Sequence, residues 1–150
     1  MDSANPHYRA STKTNRTVYM SAENIKIVSD YFMAVADRDL AKLPDLLSET
    51  LVWHQPGSSD LSQTYHSRDS VFGLVAQFME RSQGSFKFDS IGKFLTNGNL
   101  VAVSLQFSAR TETKSMSMAG IDVLRIENGK IQEVWLFSED QPTEDAFWAK

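Results

Sequence analysis

At Gly84 the chain changes rhythm. Before it, apolar residues recur at helical spacing; after it they alternate, and two Asn-Gly pairs punctuate the alternation. Upstream, Ile25, Val28, Tyr31, Phe32 and Val35 share one helix face. Ser21 is its expected N-cap, Glu23 lies in its first turn, and its end falls near Asp37-Arg38. Leu40, Leu43, Leu46 and Leu47 mark a second, short helical stretch interrupted by Pro44. Leu51 to His54 reads as a short strand stopped by Gln55-Pro56-Gly57, and a polar loop follows from Ser58 to His66. Ser67 is placed to cap a third helix with an apolar face of Val71, Leu74, Val75, Phe78 and Met79.

Downstream, Phe86, Phe88 and Ile91 open a strand that runs to Leu95, and Asn97-Gly98 is a hairpin turn signal. Val101, Val103, Leu105, Phe107 and Ala109 form one apolar face of the next strand, with Ala102, Ser104, Gln106, Ser108 and Arg110 opposite. A strand from about Met116 to Ile126 is turned at Asn128-Gly129 into a last one, Ile131 to about Glu139. A short helix, Thr143 to Trp148, closes the chain. Helices first and antiparallel strands after imply an α+β domain with the helices on one face of the sheet.

The 150 residues suit a single domain, and 41% hydrophobic content is enough for a core. Residues 1–20 are rich in Ser, Thr and Asn and are expected to form an extended or disordered arm, with the domain over 21–150. The net charge is −4, and Arg9, Lys13 and Arg16 against Asp2 leave the domain more acidic still, which argues against nucleic acid or an anionic membrane as partner. The absence of cysteine excludes thiol catalysis and cysteine–zinc sites. With no secretory pattern visible at the N-terminus, a cytoplasmic protein is expected. Three scattered histidines offer no metal-ligand spacing, and no phosphate loop, dinucleotide fingerprint or serine-hydrolase elbow is present, so no metal and no cofactor are expected.

One residue breaks the alternation. In the strand from Met116 to Ile126, Asp122 shares its parity with Met116, Met118, Leu124 and Ile126, so its carboxyl points with the apolar side chains. A buried carboxyl either finds a partner or takes up a proton. Three readings stay open: a neutral acid that donates a hydrogen bond inside a pocket, a solvated side chain on a bulged strand, or an ion pair with Arg125 or Arg110.

The segments DYFMAVADRDL, LVWHQPGSS, TYHSRDSV and IDVLRIENGKIQEVWLF, in this order, resemble the nuclear transport factor two-like superfamily, in particular its SnoaL-like and ketosteroid isomerase-like members. The resemblance spans roughly residues 21 to 148. It implies a cone-shaped, curved antiparallel sheet with three N-terminal helices around an apolar pocket, often in a homodimer. The isomerases use a tyrosine of the first helix and a strand acid as oxyanion donors, which fall on Tyr31 and Asp122. Their base position falls on His54, where they carry aspartate. Gln63 and Ser67 also stand where such loops often read glycine. SnoaL-like polyketide cyclases share the LVWHQPG segment and work without a cofactor.

The expected site is therefore catalytic Asp122, Tyr31 and His54, with Phe32, Trp53, His66, Phe78, Gln106, Trp135 and Phe137 around a small hydrophobic ligand. The expected chemistry is isomerisation, cyclisation or dehydration of a small carbonyl or phenolic compound. A non-catalytic binding or dimeric interaction module is the competing expectation. The enzyme reading requires His54, Tyr31 and Asp122 to converge.

Overall fold

The computed structural model describes the backbone of residues 6–150 and the side chains from Met20 onward. Helix α1 spans Pro6–Ala36, a 3-10 turn covers Leu40–Lys42, and α2 is the single turn Leu43–Leu46. Strand β1 (Leu47–His54), the two-residue β2 (Thr64–Tyr65) and helix α3 (Arg68–Arg81) follow. The remainder is β3 (Lys87–Asn97), β4 (Leu100–Arg110), β5 (Ser115–Glu127), β6 (Lys130–Ser138) and helix α4 (Gln141–Trp148).

Three expectations change. The helix expected to start at Ser21 begins at Pro6, so residues 6–20 of the expected arm are helical, while residues 1–5 lie outside the described residues. Extending an existing helix costs far less than nucleating one, and Pro is tolerated in the first turn, where its missing N–H has no partner to lose. The second correction concerns β1, which starts four residues earlier than expected, at Leu47. The third concerns the sheet, which is mixed rather than antiparallel. Its order is β2-β1-β6-β5-β4-β3, and β1 runs parallel to β6 with Trp53 beside Val134 and His54 beside Trp135. Hairpin turns impose antiparallel pairing only on the strands they join. Asn128 and Gly129 both have positive φ (52° and 75°), as a type I′ turn requires, and so fix β5 against β6; no turn links β1 to β6.

The sheet is curved and unclosed, with register shifts in the β3–β4, β5–β6 and β1–β6 pairings that bend it. Helices cover its inner face: α1 packs on β3, β4 and β6, α3 on β1, and α4 on β5. Helix α3 starts at a capping box in which the Ser67 hydroxyl accepts from the Ser70 N–H and the Ser70 hydroxyl accepts from the Ser67 N–H. Its buried face is Val71, Leu74 and Phe78, each of which stabilises the fold by about 1.5–3 kcal/mol when removed from water. The alternation expected in β4 and β5 holds along both strands, with Val101 to Ala109 and Met116 to Ile126 buried at every second residue.

Helix α4 closes one end of the inner space. Phe147 and Trp148 are buried, and the Trp148 ring lies 4.5 Å from that of Phe78 and 5.7 Å from that of Phe86. The loop after β1 is tied to the same helix: Ser58 donates to Asp145 through its N–H (2.9 Å) and its hydroxyl (3.1 Å). Gly57, at φ 93°, has no room for a side chain, because a Cβ there would meet Asp145 and Gln141. Arg81 adds a third tie, donating to both Asp60 oxygens and to the Trp148 carbonyl.

Candidate functional site

Cross-strand register divides the expected site residues between two faces. Asp122 pairs with Val103 and Leu136, on the inner face, and is only 6% exposed. Tyr31 and Phe32 reach the same interior from α1, Trp53 from β1 and Phe78 from α3, and all four are buried. His54 follows Trp53 and therefore points to the opposite face. Trp135 pairs with Val123, Phe137 with Ile121 and Gln106 with Ala119, all on that outer face. His66 is exposed in the segment before α3. The structure thus brings Tyr31, Phe32, Trp53, Phe78 and Asp122 together, and it separates His54, Gln106, Trp135 and Phe137 from them.

His54 is fully engaged where it stands. Its Nε2 lies 2.6 Å from Glu133, its Nδ1 lies 3.2 Å from the Thr64 hydroxyl, and its ring stacks on Trp135 at 5.5 Å. Arg125 donates to both Glu127 and Glu133. Burial works to raise the Glu133 carboxyl, but the bonds from His54 and Arg125 outweigh it and hold the group below the usual carboxylate range. These residues form a polar cluster on the outer face, and the expected three-residue convergence of His54, Tyr31 and Asp122 does not occur. Parity alone gives the reason: neighbours in a strand face opposite ways, so Trp53 and His54 cannot both line one pocket.

Among the described residues the Asp122 carboxyl has no ion-pair partner. Arg125 has the opposite parity, and Arg110 pairs with Ser115 at the far end of the sheet. Burial pushes Asp122 up to about 8, and the nearby charge of Glu144 adds to the rise. Burial also raises the Tyr31 phenol above its ordinary value, with the charge of Asp122 contributing. Both shifts favour the protonated form of the group at neutral pH.

Three inner residues escaped the sequence reading. Glu144, in the closing helix, is 4% exposed. Gln55, in the segment expected to stop β1, donates to Glu144 Oε1 (3.4 Å) and accepts from the Trp53 indole N–H (3.1 Å). Ser138 donates to Glu144 Oε2 at 2.5 Å. Burial raises the Glu144 carboxyl, with the Ser138 bond opposing it. Signals for two of them were present: Gln55 continues the inward parity of Trp53, and Glu144 lies three and four residues before Phe147 and Trp148, on one helix face.

Aromatic side chains, including Phe86, Phe88, Phe107, Phe147 and Trp148, pack against one another in this interior. An open groove of about 470 Å³ lies on the outer face, lined by residues including Ser104, Gln106, Ile121, Phe137 and Glu139.

The SnoaL-like domain family matches residues 28–134, and the chain belongs to that family. Its fold is the nuclear transport factor two-like one. A protein of unknown function with a cystatin-like fold from Xanthomonas campestris is 38% identical, with 85% of this chain and 98% of that one aligned and a TM-score of 0.82. TerC, crystallised with polyporic acid, is 14% identical over 84% of this chain and 98% of its own, with a TM-score of 0.73. An LEH-like epoxide hydrolase from M. tuberculosis is 18% identical over 84% and 87%, with a TM-score of 0.63. No curated protein matches the chain. Among the described residues, no helix is long and apolar enough to cross a membrane.

Proposed function

We propose that this protein is a cofactor-independent acid/base enzyme acting on a small hydrophobic carbonyl or phenolic compound, with Asp122 and Tyr31 as the donors to an oxyanion. The carrying observation is that Asp122 and Tyr31 are both buried in the same interior, and that among the described residues Asp122 has no cationic partner. A neutral acid and a phenol converging in an apolar setting stabilise negative charge that develops on a ligand oxygen, because no water competes for it. Trp53, Phe32 and Phe78 supply the apolar surroundings. TerC, of the same fold, was crystallised with polyporic acid, which agrees with a small organic ligand. This reading departs from the three-residue site expected from the sequence, whose convergence fails because His54 lies on the outer face; it rests on Asp122 and Tyr31 alone, and His54 has no part in it.

The test is a thermal-shift titration with 2-naphthol, whose oxygen resembles that of an enolate. Binding to the folded state raises apparent stability as RT ln(1 + [L]/Kd). Wild type and His54→Ala should shift alike, and Asp122→Leu should not shift. Equal shifts in wild type and Asp122→Leu would sink the assignment.

A dimeric interaction module is the second reading, and the outer face supports it. Ile121 and Phe137, cross-strand partners, are 47% and 59% exposed, beside Val123 and Trp135. Contiguous exposed apolar surface of this kind marks association sites. On this reading a second copy covers the face, and Phe137→Asp should convert a dimer to a monomer in sedimentation. A wild-type protein that sediments as a monomer excludes it.

A further inference from the structure

The outer-face cluster around His54 holds a second set of reactive groups. Thr64, on β2, stands directly across from His54 in the β1–β2 ladder. The Gln55 N–H donates to the Gln63 carbonyl, so the next pair along, His54 and Thr64, is a non-hydrogen-bonded one. Side chains come closest in such pairs, and the Thr64 hydroxyl lies 3.2 Å from His54 Nδ1. On the other side of the ring, Nε2 lies 2.6 Å from Glu133. Glu133 also accepts from Arg125 at 3.2 Å and is held ionised, and an ionised carboxylate only accepts. In the neutral imidazole Nε2 therefore carries the proton, and the Nδ1 lone pair faces the Thr64 hydroxyl, which donates to it. The frame is fixed from behind. The Ser62 hydroxyl donates to the Pro56 carbonyl and the Tyr65 hydroxyl to the Leu61 carbonyl, each at 2.7 Å. The Trp135 ring stacks on the imidazole and holds its plane.

We propose that Thr64, His54 and Glu133 form a hydroxyl–imidazole–carboxylate relay for acyl transfer, with an aryl ester of a short carboxylic acid as substrate. This second site lies on the face opposite Asp122 and Tyr31 and does not depend on them. Thr64 is exposed, so an ester reaches its hydroxyl from solvent, and the half-buried Trp135 ring offers a seat for a flat leaving group. In the first step the Thr64 oxygen attacks the ester carbonyl carbon and a C–O bond forms. The hydroxyl proton passes to His54 Nδ1, and Glu133 stabilises the imidazolium. Strand β2 ends the sheet, and in a non-hydrogen-bonded pair the Thr64 N–H points away from β1 to that open edge. There it donates to the oxyanion of the tetrahedral intermediate. The bond to the leaving oxygen then breaks, and the phenol departs with the proton from Nδ1. Water, giving a proton to Nδ1, attacks the acyl-Thr64 ester, and the carboxylic acid leaves as the Thr64 oxygen recovers that proton.

The experiment follows 4-nitrophenyl acetate hydrolysis by nitrophenolate absorbance and locates acetyl groups by peptide mass spectrometry. Wild type should turn the ester over faster than free imidazole at the same concentration, and rapidly quenched samples should carry acetyl on Thr64. Thr64→Ala and His54→Ala should each lose about 100-fold or more of the rate, the span a positioned base contributes. Thr64→Ser, which keeps the hydroxyl, should retain it. Glu133→Gln should lower kcat far more than it changes KM, because the amide presents an N–H to Nε2 and reverses the tautomer. Hydrolysis by Thr64→Ala at the wild-type rate overturns the proposal, since the imidazole is then the nucleophile by itself. So does acetyl confined to lysine, or a wild-type rate no greater than that of imidazole.

Discussion

Asp122→Leu is expected to be more stable than wild type by a few kcal/mol at pH 9, with the gap narrowing steadily towards pH 4. The cause is the burial that pushes the Asp122 carboxyl from an ordinary 3.8 up to about 8 in the folded protein. Between these two values the folded chain binds the proton more tightly than the unfolded chain. Stability from this group is thus fully present below about pH 4 and is lost as pH rises through about 8, at a slope of about 1.4 kcal/mol per pH unit. Leu fills a similar space among Val103, Leu124 and Leu136 and has no charge to desolvate. Glu144, also raised by burial, contributes a slope of the same sign in both proteins, so the variant's curve should be flatter rather than flat. Urea unfolding at pH 5, 7 and 9 reads the effect, and parallel curves for the two proteins would refute it. Asp122→Asn separates charge from polarity: its slope should flatten like that of the Leu variant, but its stability should stay lower because an amide is still buried without a partner. An acid retained at a cost to the fold is a sign of function, because natural sequences depart from local consistency mainly where a site requires it.

That departure was legible in the sequence, and so was most of the fold. Strand parity alone placed Asp122 among apolar side chains, and the Asn128-Gly129 pair sets the β5–β6 hairpin that carries it. Ser67 read correctly as a cap because capping is local chemistry. What could not be read depends on partners far apart in the chain. The β1–β6 pairing joins residues about eighty positions apart with no turn between them, and the face that β1 presents depends on it. The family resemblance puts His54 at a base position, although Trp53 beside it already claims the inward parity. Trp135 and Phe137 fell with it: period two shows that they share a face but not which face, and the helices chose the other. Glu144 was hidden by composition. A stretch of Glu, Asp and Thr looks like solvated surface until Phe147 and Trp148 are seen to turn the helix inward.

Trp148→Ala is expected to cost about 3–5 kcal/mol, the range for truncating a buried aromatic. The ring is 2% exposed and lies against Phe78, Phe86 and Phe147, so little around it can collapse into the space it leaves. The backbone tie from Arg81 to the Trp148 carbonyl survives the substitution and should keep the end of α4 in place. An apolar cavity with its walls held open stays dry and takes up a flat hydrocarbon. Indole should therefore restore part of the lost stability in the variant and none in wild type, as read by urea midpoints with and without it. The same cavity bears on the site. The α4 aromatics belong to the same buried cluster as Tyr31, so on the proposed function a ligand entering from this end displaces them. Removing the indole ring lowers that cost, and 2-naphthol should bind the folded variant more tightly than it binds wild type. If naphthol affinity is unchanged while indole rescue is seen, the cavity is real but the ligand's entry does not pass α4. If indole fails to rescue, the interior closes over the gap, and α4 is a mobile cover rather than a fixed wall.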